Sequence, residues 1–151
     1  MVTTRSEREV ISLAPGRISK DPNAEPDGKA FILVVEDDLS LVDTYKLALG
    51  DSFEILVAYN GKEALDVTNT QVPDLILMDL MMPEMDGIEA LKHLKKNSAT
   101  AKVPVILVTA KAQHKDVLDG YQTGADYYIT KPFTNMELMN GINMCLGDGK
   151  A

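Results

Sequence analysis

The chain contains a single cysteine, Cys145, and no tryptophan. One cysteine excludes an internal disulfide framework and makes a reducing cytoplasm the simplest setting. No apolar run approaches the length of a membrane span, and the N-terminus lacks the apolar centre of a secretory signal. Basic charge is also scarce: 15 Lys and Arg stand against 23 Asp and Glu, a formal charge of -8. Residues 1–30 are balanced, with five of each sign, so the whole excess falls in residues 31–151, where 10 basic face 18 acidic side chains. This balance argues against direct nucleic-acid binding by the segment. It fits a solvated acidic surface and an acidic metal site equally well. Apolar residues are plentiful, and 45% hydrophobic content in 151 residues suits one domain with a sizeable core.

Residues 1–30 carry Pro15, Pro22 and Pro26 with Gly16 and Gly28 and few apolar side chains, the texture of a flexible extension. Ser6 to Glu9 matches a capping box and predicts at most a short helix there. The texture changes at Phe31, and a domain is expected over 31–147, with a short tail at 148–151. Apolar, β-prone runs predict strands over 31–35, 53–58, 74–78, 103–108 and 127–129. Helical spacing of Val42, Tyr45 and Leu49 predicts a helix over 38–49. Asn60 is suited to cap a second helix over 61–68. Ile88, Leu91 and Leu94 mark the buried face of a third, whose other face carries Glu89, Lys92, Lys95 and Lys96. A fourth is expected over 112–123. A fifth begins at Thr134, where Thr134 and Glu137 form a capping box ahead of a stripe of Leu138, Ile142 and Cys145. Strands one, three and four are almost wholly apolar, which requires helices on both faces of a parallel sheet. The expected fold is a doubly wound α/β sheet, whose ligands bind beyond the carboxyl ends of the strands.

Charged and hydroxyl groups sit at those ends. Strand one runs into Glu36, Asp37 and Asp38, strand three into Asp79, strand four into Thr109 and Ala110, and strand five into Lys131 and Pro132. Taken singly, each has a plain explanation: acidic residues after a strand often cap the next helix, and a lysine before a proline is usually a surface residue. All four strand ends meeting at one rim is the informative pattern. Clustered carboxylates repel one another and need positive charge nearby. Glu36, Asp37 and Asp79 offer hard oxygens without thiolate or imidazole, the donor set of Mg²⁺, or Mn²⁺ in its place, rather than zinc. His93 and His114 fall on helices away from this rim. A cation and the Lys131 amine around Asp79 suit phosphoryl transfer to a carboxylate nucleophile, with Thr109 and the Ala110 amide as donors. No general base is required, because a carboxylate is ordinarily ionised at neutral pH.

At these positions the chain resembles the receiver domain of bacterial two-component response regulators. The segments that carry the resemblance are ILVVEDD (32–38), DLILMDLMMPEMDG (74–87), PVILVTA (104–110) and GADYYITKPF (124–133). It implies a flavodoxin-like (βα)5 fold with strand order 2-1-3-4-5. It implies Asp79 as phosphoacceptor, Glu36 and Asp37 as the acidic pair for Mg²⁺, and the Met81 carbonyl as a further ligand. Thr109 and Lys131 would sense the phosphoryl group, and Tyr128 would be the switch aromatic on the face made by the fourth helix, fifth strand and fifth helix. The implied partners are a sensor histidine kinase or a histidine phosphotransfer protein. A downstream protein or an output domain would engage the switch face, and a homodimer is compatible with it. Such a domain catalyses its own phosphorylation and dephosphorylation but is first a signalling switch. Two other functions stay open on the residues alone: a phosphorylation-independent interaction module, and a Mg²⁺-dependent phosphohydrolase working through an aspartyl phosphate.

Overall fold

The computed structural model describes residues 2–3, 7–8, 29–80, 87–110 and 124–147. The chain forms two compact units, Met1–Ala30 and Phe31–Ala151. The first contains a short antiparallel pair, Val2–Thr3 with Glu7–Arg8. The second contains a five-stranded sheet: β1 (Ala30–Val35), β2 (Phe53–Ala58), β3 (Leu75–Asp79), β4 (Val105–Ala110) and β5 (Tyr127–Lys131). Between strands lie α1 (Leu39–Leu49), α2 (Gly61–Thr68) and α3 (Gly87–Lys96), and the C-terminal helix, Asn135–Leu146, follows β5. The helix expected over 112–123, the capping box at Ser6 and the Met81 carbonyl lie outside the described residues.

The strand order is β2-β1-β3-β4-β5, and the ladders β1–β3, β3–β4 and β4–β5 are parallel. This is the doubly wound 2-1-3-4-5 sheet. Parity along the strands explains its two layers. Leu33, Val35, Ile76, Met78, Val105 and Leu107 point to one face and pack with Ala64 of α2 and Ala90, Leu91 and Leu94 of α3. Ile32, Val34, Leu75, Leu77, Ile106 and Val108 point to the other and pack with Tyr45 and Leu49 of α1 and Leu138 and Ile142 of the C-terminal helix. Each fully buried aliphatic side chain contributes about 1.5–3 kcal/mol relative to an exposed one, so β1 and β3 anchor the sheet.

Local chemistry sets the boundaries. Asp38 caps α1, its carboxylate accepting from the Ser40 and Leu41 amides. Asn60 caps α2 through the Glu63 amide, and Thr134 and Glu137 close the expected capping box. At the opposite end of the sheet from the acidic rim, Asp74 Oδ2 accepts from the Phe31 amide at 2.7 Å and Asp126 Oδ2 from the Val105 amide at 2.9 Å. These two carboxylates pin the starts of β1 and β4.

Three strands end later than the sequence reading places them. β3 runs to Asp79 rather than stopping at Met78. β4 covers Val105–Ala110 rather than 103–108, because the Val103 amide turns back to the Thr100 carbonyl and Pro104 has no donor. β5 extends to Lys131, where Ala110 pairs with it in register. Asp79, Thr109, Ala110 and Lys131 are therefore strand residues, held by the sheet itself.

Gly87 controls the approach of α3 to that rim. Its amide donates to the Leu80 carbonyl at 2.9 Å, and a Cβ built there would lie 2.5 Å from the Asp79 carbonyl oxygen and 2.9 Å from Leu80 Cα. Both neighbours are backbone, which yields little. Gly87→Ala should cost about 2 kcal/mol of stability, read by denaturant unfolding, through overpacking against the backbone of Asp79. An unchanged unfolding midpoint would show that the helix start can move aside.

Candidate functional site

The acidic rim lies where strand order reverses. β1 and β3 are adjacent, but their following connections leave towards opposite faces, and the crevice between them is the usual ligand position in such sheets. Glu36 follows β1, is 1% exposed, and donates its amide to the Ala58 carbonyl of β2. Asp37, next in the chain, is exposed. Asp79 ends β3 at 6% exposure. One carboxylate oxygen from each of these three residues lies within 4.8 Å of the others. Burial of Glu36 and Asp79 follows from the apolar strands that carry them.

Lys131 reaches this cluster from the end of β5. Its Nζ lies 3.4 Å from Glu36 Oε1 and 3.4 Å from Asp79 Oδ1. Glu36 Oε2 also accepts from the Asp38 amide at 3.2 Å. Even so, burial, then the charge of Asp79, push the Glu36 carboxyl up to about 7, against the lowering influence of Lys131. Asp38 goes the other way: the Ser40 hydroxyl, then the Leu41 amide, hold it below the usual carboxylate range. It is a helix cap rather than a member of the buried cluster.

Thr109 is 1% exposed, and its Oγ1 is the buried side-chain polar atom without a hydrogen-bond partner among the described residues. An orphaned hydroxyl of this kind costs about 1–3 kcal/mol, so its retention at the rim points to a ligand atom. Ala110 follows it, exposed, at the strand end. Thr109 lies two residues beyond Leu107, whose register partner is Tyr128. Thr109 and Tyr128 therefore share the α3 face of the sheet, and Tyr128 packs half-buried against that layer. Tyr127 points to the opposite face, against Gly141 of the C-terminal helix, where an added Cβ would meet its ring at 2.8 Å.

Two hard-oxygen carboxylates in a buried crevice, a third at its lip and an orphaned hydroxyl fit a small divalent cation with several water ligands, as Mg²⁺ prefers. The donor set contains no imidazole. His93 instead lines a separate groove of about 200 Å³ between α2 and α3, with Leu65 and Asn97. Cys145 is half-buried, and burial, then Asp126, push its thiol up to about 11, which keeps it in the unreactive protonated form.

Sequence reasoning missed one residue bordering this site. Tyr45 of α1, 1% exposed, stacks on Phe133 with ring centroids 5.7 Å apart and an interplanar angle of 19°. Burial, followed by the charges of Glu36 and Asp79, drives its hydroxyl pKa upward, so the phenol lies within electrostatic reach of the acidic pair. Helical spacing identified Tyr45 as a core residue. The only further signal was an aromatic placed two residues after Lys131.

A doubly wound sheet carries three carboxylates, a lysine and a buried hydroxyl at one rim, and so defines an α/β domain with an acidic site at the carboxyl ends of its strands. Residues 32–143 match the response regulator receiver domain, and the chain belongs to that family. The chain is 41% identical over 109 residues to the phosphate regulon transcriptional regulatory protein PhoB of Escherichia coli, covering 72% of this chain and 48% of PhoB. It is 42% identical over 113 residues to the probable transcriptional regulator ycf29 of Pyropia yezoensis, covering 74% of this chain and 51% of that protein. The chain thus spans about half the length of these relatives. Among solved structures, a receiver domain of a signal transduction histidine kinase from Syntrophus aciditrophicus superposes with a TM-score of 0.73 at 34% identity, over 78% of this chain and 89% of that one. The receiver domain of sensor histidine kinase PA1611 from Pseudomonas aeruginosa, solved with magnesium coordinated in its active site cleft, gives 0.70 at 29% identity, over 79% of this chain and 98% of that one. No described helix is long and apolar enough to cross a membrane.

Proposed function

We propose that Asp79 accepts a phosphoryl group from the phosphohistidine of a sensor histidine kinase or a histidine phosphotransfer protein. The observation that carries this reading is the Lys131 amine, 3.4 Å from both Asp79 and Glu36, at a rim where the buried Thr109 hydroxyl has no partner among the described residues. An Asp79 oxygen attacks phosphorus, the N–P bond breaks, and its electron pair returns to the imidazole nitrogen. Lys131 offsets charge on the transferred oxygens, and the Thr109 hydroxyl and Ala110 amide donate to them. Glu36, Asp37 and Asp79 would hold Mg²⁺ or Mn²⁺, with the Met81 carbonyl as a further ligand. When bound, that cation supplies the remaining positive charge.

Thr109 and Tyr128 are the proposed switch pair. Recruiting the Thr109 hydroxyl to the phosphoryl group would vacate space on the face it shares with Tyr128, and the ring could repack there. The face around β5 and the C-terminal helix would then present differently to a downstream protein or an output domain. A homodimer could use it too. The acidic excess of residues 31–151 favours a protein partner over direct nucleic-acid contact by this segment. The single cysteine accords with a cytoplasmic setting.

Intact-mass measurement after incubation with acetyl phosphate and Mg²⁺, followed by peptide mapping, tests the reading. One phosphoryl group should appear, on the peptide containing Asp79, and chelation should suppress it. An adduct on another residue, or one formed equally well without the metal, would overturn the proposal.

A further inference from the structure

Lys131 is the last ladder residue of β5, paired in register with Ala110. Beyond it the chain leaves the sheet through Pro132. Its long stem is flexible, and its side chain is 28% exposed. The amine's reach into the acidic crevice therefore depends on how the backbone is held on both sides of residue 131. The sheet holds one side. On the other, the half-buried Phe133 stacks on the buried Tyr45. Tyr45 is itself fixed, packed with Ile32, Val34, Leu49 and Leu138 and lying roughly two helical turns after the Asp38 cap. The helix that begins at the acidic turn thus also grips the loop that carries the lysine.

We propose that Tyr45 is a positioning residue for the Lys131 amine: its ring, stacked on Phe133, anchors the chain just past β5 and fixes the distance from the amine to Glu36 and Asp79. An aliphatic side chain at 45 would fill much of the same volume, but it would not hold the plane of the Phe133 ring, because aromatic pairs carry an orientation preference that aliphatic contacts lack. A small displacement of a charged group near a reacting centre has a large effect on rate. The consequence for rate rests on the phosphoacceptor reading of Asp79, whereas the consequence for lysine geometry does not.

The test uses the full chain labelled with ¹³C at lysine Cε, with the Lys131 signal assigned by its loss in Lys131→Arg. In the wild type this signal should stand apart from those of solvated lysines. Tyr45→Leu should move it towards them, and Tyr45→Phe, which keeps the stack, should leave it in place. Phosphoryl uptake from acetyl phosphate should slow about five- to tenfold in Tyr45→Leu, the size expected for one aromatic pair, and return to the wild-type rate in Tyr45→Phe. Phe133→Leu removes the same stack from the loop side. It should match Tyr45→Leu, and the double variant should be no slower than either. If Tyr45→Leu does not fold, Phe133→Leu carries the comparison. A wild-type chain that takes up no phosphoryl group would defeat the phosphoacceptor reading and leave the lysine signal to decide the positioning claim. An unmoved signal in both leucine variants, or a Tyr45→Phe variant as impaired as Tyr45→Leu, overturns it.

Discussion

Lys131→Ala should slow phosphoryl uptake at Asp79 about 100- to 1,000-fold, the usual consequence of removing one fixed donor from a site where charge develops. Two effects combine in this variant. The first is direct: the amine 3.4 Å from Asp79 no longer offsets charge on the transferred group. The second acts through Glu36. Burial and Asp79 push that carboxyl up to about 7 even with Lys131 beside it to lower it. Without the lysine it rises further, so at neutral pH Glu36 is held protonated and is a poor cation ligand. The two effects separate with pH. Raising the pH ionises Glu36 and should restore only the part lost through it. The rate of adduct formation, measured by intact mass from pH 6 to 9 with saturating Mg²⁺, checks both. A variant within threefold of the wild type throughout would show that the amine seen beside Asp79 has no part in the transfer. Lys131→Arg should recover little, because a wide planar guanidinium does not reproduce a compact ammonium between two carboxylates.

The rim was legible in the sequence because strands one, three and four are apolar to the point where they stop. In a sheet covered on both faces, a change from ILVV or LILM to a carboxylate marks the rim of the strand, even though Glu36 and Asp79 themselves stay buried there. The capped helix starts at Asn60 and Thr134 were legible for a similar reason, since a side-chain acceptor and its amide lie three residues apart. What could not be read depends on register. Lys95 looks like part of a solvated helix face, yet its amine donates to the carbonyls of Ala101 and Val103, each at 3.1 Å, and lies 3.7 Å from Asp126. Only the pairing of β4 with β5 brings Asp126 there. The Tyr45–Phe133 stack is hidden in the same way, because it joins α1 to the chain leaving the edge strand β5. The strand boundaries were misplaced because hydrophobicity, not hydrogen bonding, was the signal: Val103 is buried at 8% but lies in a turn, whereas Lys131 is polar but belongs to a ladder.

Glu36→Gln should stabilise the metal-free protein at pH 8 by roughly 1–3 kcal/mol. The Glu36 carboxyl stands at about 7 in the folded chain against an ordinary value of 4.5. Below pH 4.5 it is protonated in both states and costs nothing. Between 4.5 and 7 the unfolded chain releases its proton while the folded chain retains it, and stability falls by about 1.4 kcal/mol per unit. Above 7 both forms are ionised, the slope ends, and the full cost remains. At 1% exposure solvent does little to reduce it. Glutamine keeps the shape and can still accept from the Asp38 amide, but it carries no charge. The stability difference between the variant and the wild type, from denaturant unfolding in chelator, should therefore be small at pH 4.5, grow up to pH 7 and level off above it. Mg²⁺ should narrow the gap by stabilising the wild type, whose three carboxylates suit the cation, more than the variant, which has lost one of them. A difference that does not change between pH 4.5 and 8 would mean that Glu36 titrates normally, and that the crevice is far better solvated than its burial indicates.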